Sequence, residues 1–145
     1  MMKFLIVILS LIVLTSAEWK PKSREQMKQF RVECVRDLNL PQNIVDKLNR
    51  QEYPENNEYV MEYILCGARK SELWSDNEGW LSERILRLLG NDKTLNKEEV
   101  RSVIDGCLDD NSQGSSLQEW CFRNFKCLAD SKLRGLMRGM MQKLN

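Results

Sequence analysis

Leu95-Asn-Lys-Glu-Glu-Val-Arg-Ser-Val-Ile-Asp-Gly-Cys-Leu108 is the stretch on which the fold class turns. The side-chain oxygen of Asn96 suits the exposed N–H groups that open a helix, Glu99 stands three residues on, and Leu95 is spaced to staple onto Val100. Val100, Val103, Ile104, Cys107 and Leu108 then recur at the spacing of one helical face. No stretch shows the strict apolar–polar alternation of a half-buried strand, and prolines occur only at 21, 41 and 54. The expected class is therefore all-α.

Working toward the N-terminus, Leu81 to Leu89 reads as a helix stopped by Gly90, after a loop Ser75–Gly79 flanked by Trp74 and Trp80. A helix over about 57–70 presents Tyr59, Val60, Tyr63, Ile64 and Cys66. The polar stretch Asn49–Asn57 is a turn, and Pro41 suits the first turn of a short helix through Leu48. Ser23 with Gln26 has capping-box spacing and opens a helix over about 24–39, with Met27, Phe30, Cys34 and Leu38 on one face. Toward the C-terminus, Asp109–Ser115 is a loop. Ser116 with Glu119 opens a helix to about Ala129, carrying Leu117, Trp120, Cys121 and Leu128.

The tail, residues 131–145, has Leu133, Leu136, Met137, Met140, Met141 and Leu144 on one stripe and Lys132, Arg134, Arg138 and Lys143 on the other side. Gly135 and Gly139 each cost about 1 kcal/mol against Ala, so this helix needs something to lie on. Three roles fit it: a lid over a cavity, a membrane-surface helix, or an oligomer contact.

The N-terminus reads as an export signal. Met1-Met2-Lys3 is a short basic start, Phe4–Leu14 an apolar run of 11 residues, and Thr15-Ser16-Ala17 a small-residue cleavage site. Spanning a bilayer takes about 20 apolar residues, so the run is too short for an anchor. Cleavage after Ala17 leaves a secreted chain of residues 18–145, one domain in size. It retains 21 basic and 21 acidic side chains, a balance that argues against a nucleic-acid partner.

There is no histidine, which removes Ser-His and Cys-His catalysis and His-ligated zinc. Gly114-Ser115-Ser116 is not a nucleophile elbow, and the neighbouring pairs Glu98-Glu99 and Asp109-Asp110 point apart. Asp109–Gly114 begins like a calcium loop, but its twelfth position is Trp120, with Glu119 one residue early. Neither an enzyme nor a metal site nor a cofactor is expected. The five cysteines, Cys34, Cys66, Cys107, Cys121 and Cys127, allow two bridges and one thiol left over, in pairings that spacing does not choose among.

The order and spacing of these cysteines resemble the insect odorant-binding proteins, the pheromone and general odorant-binding family, over essentially the whole chain after the signal. Cys34 matches the family's first cysteine, Cys66 the third, Cys107 the fourth and Cys127 the sixth. The run from Cys66 through Gly-Ala-Arg-Lys-Ser-Glu-Leu-Trp-Ser-Asp-Asn-Glu to Gly79 is similar to the family's passage into an acidic loop. The second and fifth cysteine positions fall on Glu62 and Gln118, the departure known as Minus-C. Phe30-Arg-Val-Glu-Cys-Val-Arg-Asp-Leu-Asn-Leu-Pro41 and Trp120-Cys-Phe-Arg-Asn-Phe-Lys-Cys-Leu128 resemble mosquito members that bind fatty acids.

The resemblance implies bridges Cys34–Cys66 and Cys107–Cys127, with Cys121 left free; its place on the apolar helix face reads as a buried, inert thiol, against a dimer-forming or reactive one. It also implies about six helices around one closed cavity for a hydrophobic ligand, a long-chain fatty acid first and an odorant or pheromone-like volatile second. The candidate lining is the aromatic set Phe30, Tyr59, Tyr63, Trp74, Trp80, Trp120, Phe122 and Phe125, with Ile64, Leu88 and Val103. The tail adds Arg134, Met137, Met140 and Met141, and Arg134, Arg138 or a tyrosine hydroxyl is the candidate partner of a carboxylate head group. The partners implied are the small ligand and an olfactory or other surface receptor; membrane contact through the tail, and a monomer or weak homodimer, stay open. The competing readings are a secreted interaction protein working through its basic tail and a salivary-type scavenger of amines or eicosanoids.

Overall fold

The computed structural model describes residues 18–89 and 95–140. Within them seven helices follow one another: α1 (Arg24–Asp37), α2 (Gln42–Asn49), α3 (Glu58–Lys70), α4 (Ser82–Leu89), α5 (Lys97–Cys107), α6 (Leu117–Asp130) and α7 (Arg134–Met140). The export segment 1–17, the stop at Gly90, and Met141 with the rest of the tail lie outside the described residues.

The helix starts follow the caps. Ser23 and Gln26 form the full capping box, Gln26 N–H donating to Ser23 Oγ at 3.1 Å and Ser23 N–H to Gln26 Oε1 at 2.9 Å. Asn57, Asn96 and Ser116 each accept the N–H three residues on. Pro41 is the cap residue before α2 rather than its first helical residue.

The first three helices end without a glycine. After α1, α2 and α3 the chain turns at Asn39, Gln51 and Glu72, each in the left-handed region, with φ of 49°, 58° and 62°. In each case the N–H of that residue and of the next reach back to carbonyls of the last turn, as Leu40 N–H does to Val35 O and Leu73 N–H to Ala68 O. Two returning bonds satisfy carbonyls that would otherwise be orphaned, which offsets the cost of the left-handed residue.

The segment between Trp74 and Trp80 is a minimal antiparallel ladder, β1 (Trp74–Ser75) with β2 (Gly79–Trp80), where the sequence suggested only a loop. Gly79 has φ +80°, and a Cβ there would come 2.5 Å from Trp120 Cζ2. Only glycine lets the strand pass so close to the indole.

α3 runs through the middle. It packs on α6 and α1 and touches α2 and β1; α5 joins α4 to α6, and α7 lies on α6. Its stripe of Val60, Ile64 and Ala68 is buried, with Leu65 fully enclosed on its flank. Leu86, Val100, Ile104 and Leu133 complete the core. Each such side chain contributes roughly 1.5–3 kcal/mol on burial. Disulfides Cys34–Cys66 and Cys107–Cys127 tie α1 to α3 and α5 to α6. Glu62 and Gln118, in the positions read as missing cysteines, hold α3 to α6 instead by a Gln118 Nε2–Glu62 Oε1 hydrogen bond of 2.9 Å. Among the described residues no helix is long and apolar enough to cross a membrane.

Candidate functional site

A cavity opens where α1, α3, α4 and α6 fail to close on one another. α1 contributes Met27, Phe30 and Arg31, which share a face with Cys34 one turn on. The Cys34–Cys66 bridge, with its Cα atoms 6.0 Å apart, therefore sets the spacing of two cavity walls. α3 supplies Tyr63, Ile64, Gly67 and Ala68, with Ser71 just past its end; α4 supplies Ile85, Leu88 and Leu89. Trp80 enters from β2, and Phe125 and Leu128 from α6. Leu48 and Asn49 of α2, Tyr53 of the turn after it and Met137 of α7 complete the lining.

Aromatic contacts hold this lining. Tyr53 meets Phe125 edge to face at 4.9 Å, and Trp80 stacks on Phe125 at 6.4 Å. Trp80 Nε1–H donates to Cys121 O at 3.0 Å, so its polar end is satisfied while its ring faces the cavity.

The cavity measures about 120 Å³, below the roughly 300–1,000 Å³ of small-molecule pockets. A second, more open groove of about 390 Å³ lies outside, between the turn after α2, the end of α6 and α7. Tyr53 and Met137 line both.

Of the residues singled out from the sequence, Phe30, Tyr63, Ile64, Trp80, Leu88, Phe125 and Met137 come together around the cavity. The others lie elsewhere. Tyr59, in the first turn of α3, is 48 % exposed. Trp74 and Trp120 are buried against each other, ring centroids 4.9 Å apart, with their N–H groups given to Asp76 and Asp109 O. Phe122 is buried in the core outside the lining, and Val103 packs half-buried against that core from α5. Arg134 and Arg138 line the outer groove. The Met140 side chain and Met141 lie outside the described residues.

Sequence reasoning missed Arg31, Leu48, Tyr53, Gly67 and Ser71 as cavity residues. Arg31 had a signal: it follows Met27 by four residues and so interrupts an otherwise apolar stripe with a cation. Tyr53 had none, because it lies in a polar turn without periodicity.

Among the described cavity residues Arg31 alone carries a formal charge. Burial draws it below the ordinary arginine range, while Tyr63 and Tyr53 act in the opposite direction. Burial in turn pushes the Tyr53 phenol up to about 12 and Tyr63 upward as well, although the arginine charge opposes both. Both phenols are neutral donors at physiological pH. The Cys121 thiol is free, buried, and raised by that burial.

The calcium-like loop is spoken for by protein groups. Arg123 grips Asp109 with two hydrogen bonds of 2.9 Å, and Asn124 Nδ2 donates to the same carboxylate at 2.8 Å. These donors hold the Asp109 carboxyl well below the usual range, Arg123 first among them. No group of three or more potential metal ligands occurs among the described residues.

The profile of the PBP/GOBP family matches residues 16–131. Among curated proteins, the chain is 34 % identical over 132 residues to Odorant-binding protein 22 of Aedes aegypti, covering 91 % of this chain and 93 % of that one. It is 32 % identical over 142 residues to General odorant-binding protein 99a of Drosophila melanogaster, covering 98 % and 99 %. A two-disulfide helical fold around an apolar cavity, matched along nearly its whole length by these relatives, belongs to the PBP/GOBP family of insect odorant-binding proteins.

Proposed function

We propose that this chain is a secreted, non-catalytic carrier of a small hydrophobic ligand, with a long-chain fatty acid as the leading occupant and an odorant-like volatile as the second. The observation that carries this reading is the apolar cavity shared by α1, α3, α4 and α6. Removing a hydrocarbon chain from water contributes roughly 25 cal/mol per Å² before the costs of association. The names of the two relatives support odorant-sized cargo, and the fatty acid is favoured by the cation on the cavity wall. Relatives of this kind work outside the cell, in keeping with the export signal read at residues 1–17 and the two disulfides of the domain that follows it.

A chain of sixteen or more carbons fills the space only if its walls yield. Met27 and Met137 are the residues built to do so, being unbranched and free to change rotamer. The tail's described part supports a lid over a membrane helix: Leu133 is fully buried and Met137 8 % exposed, so its apolar side is used within the fold. The test is displacement of an apolar fluorescent probe by C12–C20 acids and the matching alcohols. Micromolar displacement with an optimum in chain length is expected; a probe that never binds sinks the carrier reading and leaves the interaction-protein reading in first place.

A further inference from the structure

A cavity of about 120 Å³ is too small for a long apolar chain, so a wall has to shift when one enters. Most of the walls are fastened to a neighbour. Cys34–Cys66 joins α1 to α3, the Gln118–Glu62 hydrogen bond joins α6 to α3, and Cys107–Cys127 joins α6 to α5. α4 has no cysteine. It packs on α5 and begins just after the 2.8 Å bond from Leu81 N–H to Leu73 O. Its side bearing Ile85, Leu88 and Leu89 lines the cavity. Arg84 and Arg87, three residues apart, share another side, and there the segment 18–22 grips the helix from outside.

Trp19 is the centre of that grip. The Arg84 guanidinium lies over its ring, 5.2 Å from the centroid, and its indole N–H donates to Glu72 Oε2 at 3.0 Å. Arg87 Nη1 donates to the Trp19 carbonyl at 2.8 Å and pairs with Glu18 at 3.5 Å. Lys22 pairs with the same Glu72 carboxylate at 3.2 Å, and Arg84 Nη1 donates to Glu72 O at 2.7 Å. One residue thus links the turn after α3 to two arginines of α4. Surface charge pairs are individually weak, but these converge on one rigid ring. Trp19 is not part of the cavity lining, so it reaches a ligand only through α4.

We infer that Trp19, with Arg84 and Arg87, is a positioning brace that limits how far α4 yields and so sets the longest chain the cavity accepts. This inference rests on the carrier reading above.

The experiment measures dissociation constants of even-numbered C12–C24 saturated acids by probe displacement, on the full secreted chain, beside melts of the ligand-free protein. Trp19→Ala should move the optimum about two carbons longer. Each methylene newly admitted is close to fourfold, so the acid two carbons beyond the native optimum should gain roughly tenfold or more relative to that optimum. Trp19→Phe keeps a ring for Arg84 and loses only the N–H, and should stay nearer the native profile. Should Trp19→Ala not fold, Arg84→Met reads the same ratio and should move it the same way. A brace that only stabilises the fold would lower the melting point and weaken every acid by one factor. That result, or a shift toward shorter acids, overturns the inference. A native chain without any length preference overturns the brace while the carrier stands; failure of the probe and of every acid to bind overturns both.

Discussion

Gly67→Ala separates the stability of the fold from the size of its cavity. Gly67 lies in the interior of α3 and on the cavity wall, and a Cβ built there meets nothing within 4 Å. In a helix interior alanine is favoured over glycine by roughly 0.5–1 kcal/mol, because glycine loses more backbone freedom on folding. With no clash to offset that gain, the ligand-free variant should melt about 2–5 °C higher. The same methyl takes ligand space. A methylene denied its place loses about 0.8 kcal/mol of transfer free energy, close to fourfold in affinity. The preferred chain of a C12–C20 acid series should shorten by about one carbon, and the former optimum should bind about fourfold more weakly. Thermal melts without ligand and probe displacement across the series give the two readouts from one preparation. A variant that is more stable but has an unshifted chain-length profile would show that ligand does not pass Gly67. One that is less stable would show that the space beside it is not open.

Gly79→Ala should do the opposite, since it combines a left-handed residue with a Cβ 2.5 Å from an indole held by Trp74 and by Asp109 O. A loss of about 3 kcal/mol or more is expected, a melting point at least about 10 °C lower, and native-like melting refutes the packing argument. Asp109 has a folded pKa below its unfolded value, so its contribution is complete above about pH 4 and fades as pH falls further. Asp109→Asn should cost about 1 kcal/mol at pH 7, the pair being partly open to solvent, and less below pH 4; a penalty flat from pH 7 to 2 contradicts the carboxylate's role. Cys121 is buried and its thiol raised, so the native chain should resist alkylation at pH 8 for hours and yield one reactive thiol in denaturant. Modification within minutes argues against a sealed core.

Much of the architecture is legible one segment at a time. Caps at Ser23, Asn96 and Ser116 act over three residues, so their chemistry can be read locally and holds in the structure, where Asn57 adds a fourth. Helix ends were less readable, because Asn39, Gln51 and Glu72 reach the left-handed region through backbone bonds that no residue type announces. The cavity divides along the same line. Phe30, Tyr63, Ile64 and Leu88 sit on amphipathic faces whose inward side the period defines, and they line it. Trp74 and Trp80 are ladder partners of the same residue type, yet one is packed away against Trp120 and the other faces the ligand space.

What the sequence determined alone is whatever depends on neighbours along the chain: an all-α class, the helix starts, the absence of imidazole chemistry, and the cysteine pattern that marks the family. What the tertiary structure decided is which faces meet and which stay apart. Tyr53 from a polar turn and Arg31 from an apolar stripe, 22 positions away from each other, became cavity neighbours only because α1 is bridged to α3 and the turn after α2 folds back against Phe125. The physical reason is range: capping and periodicity act within a turn or two, whereas a cavity is the space left where helices distant in sequence cannot close.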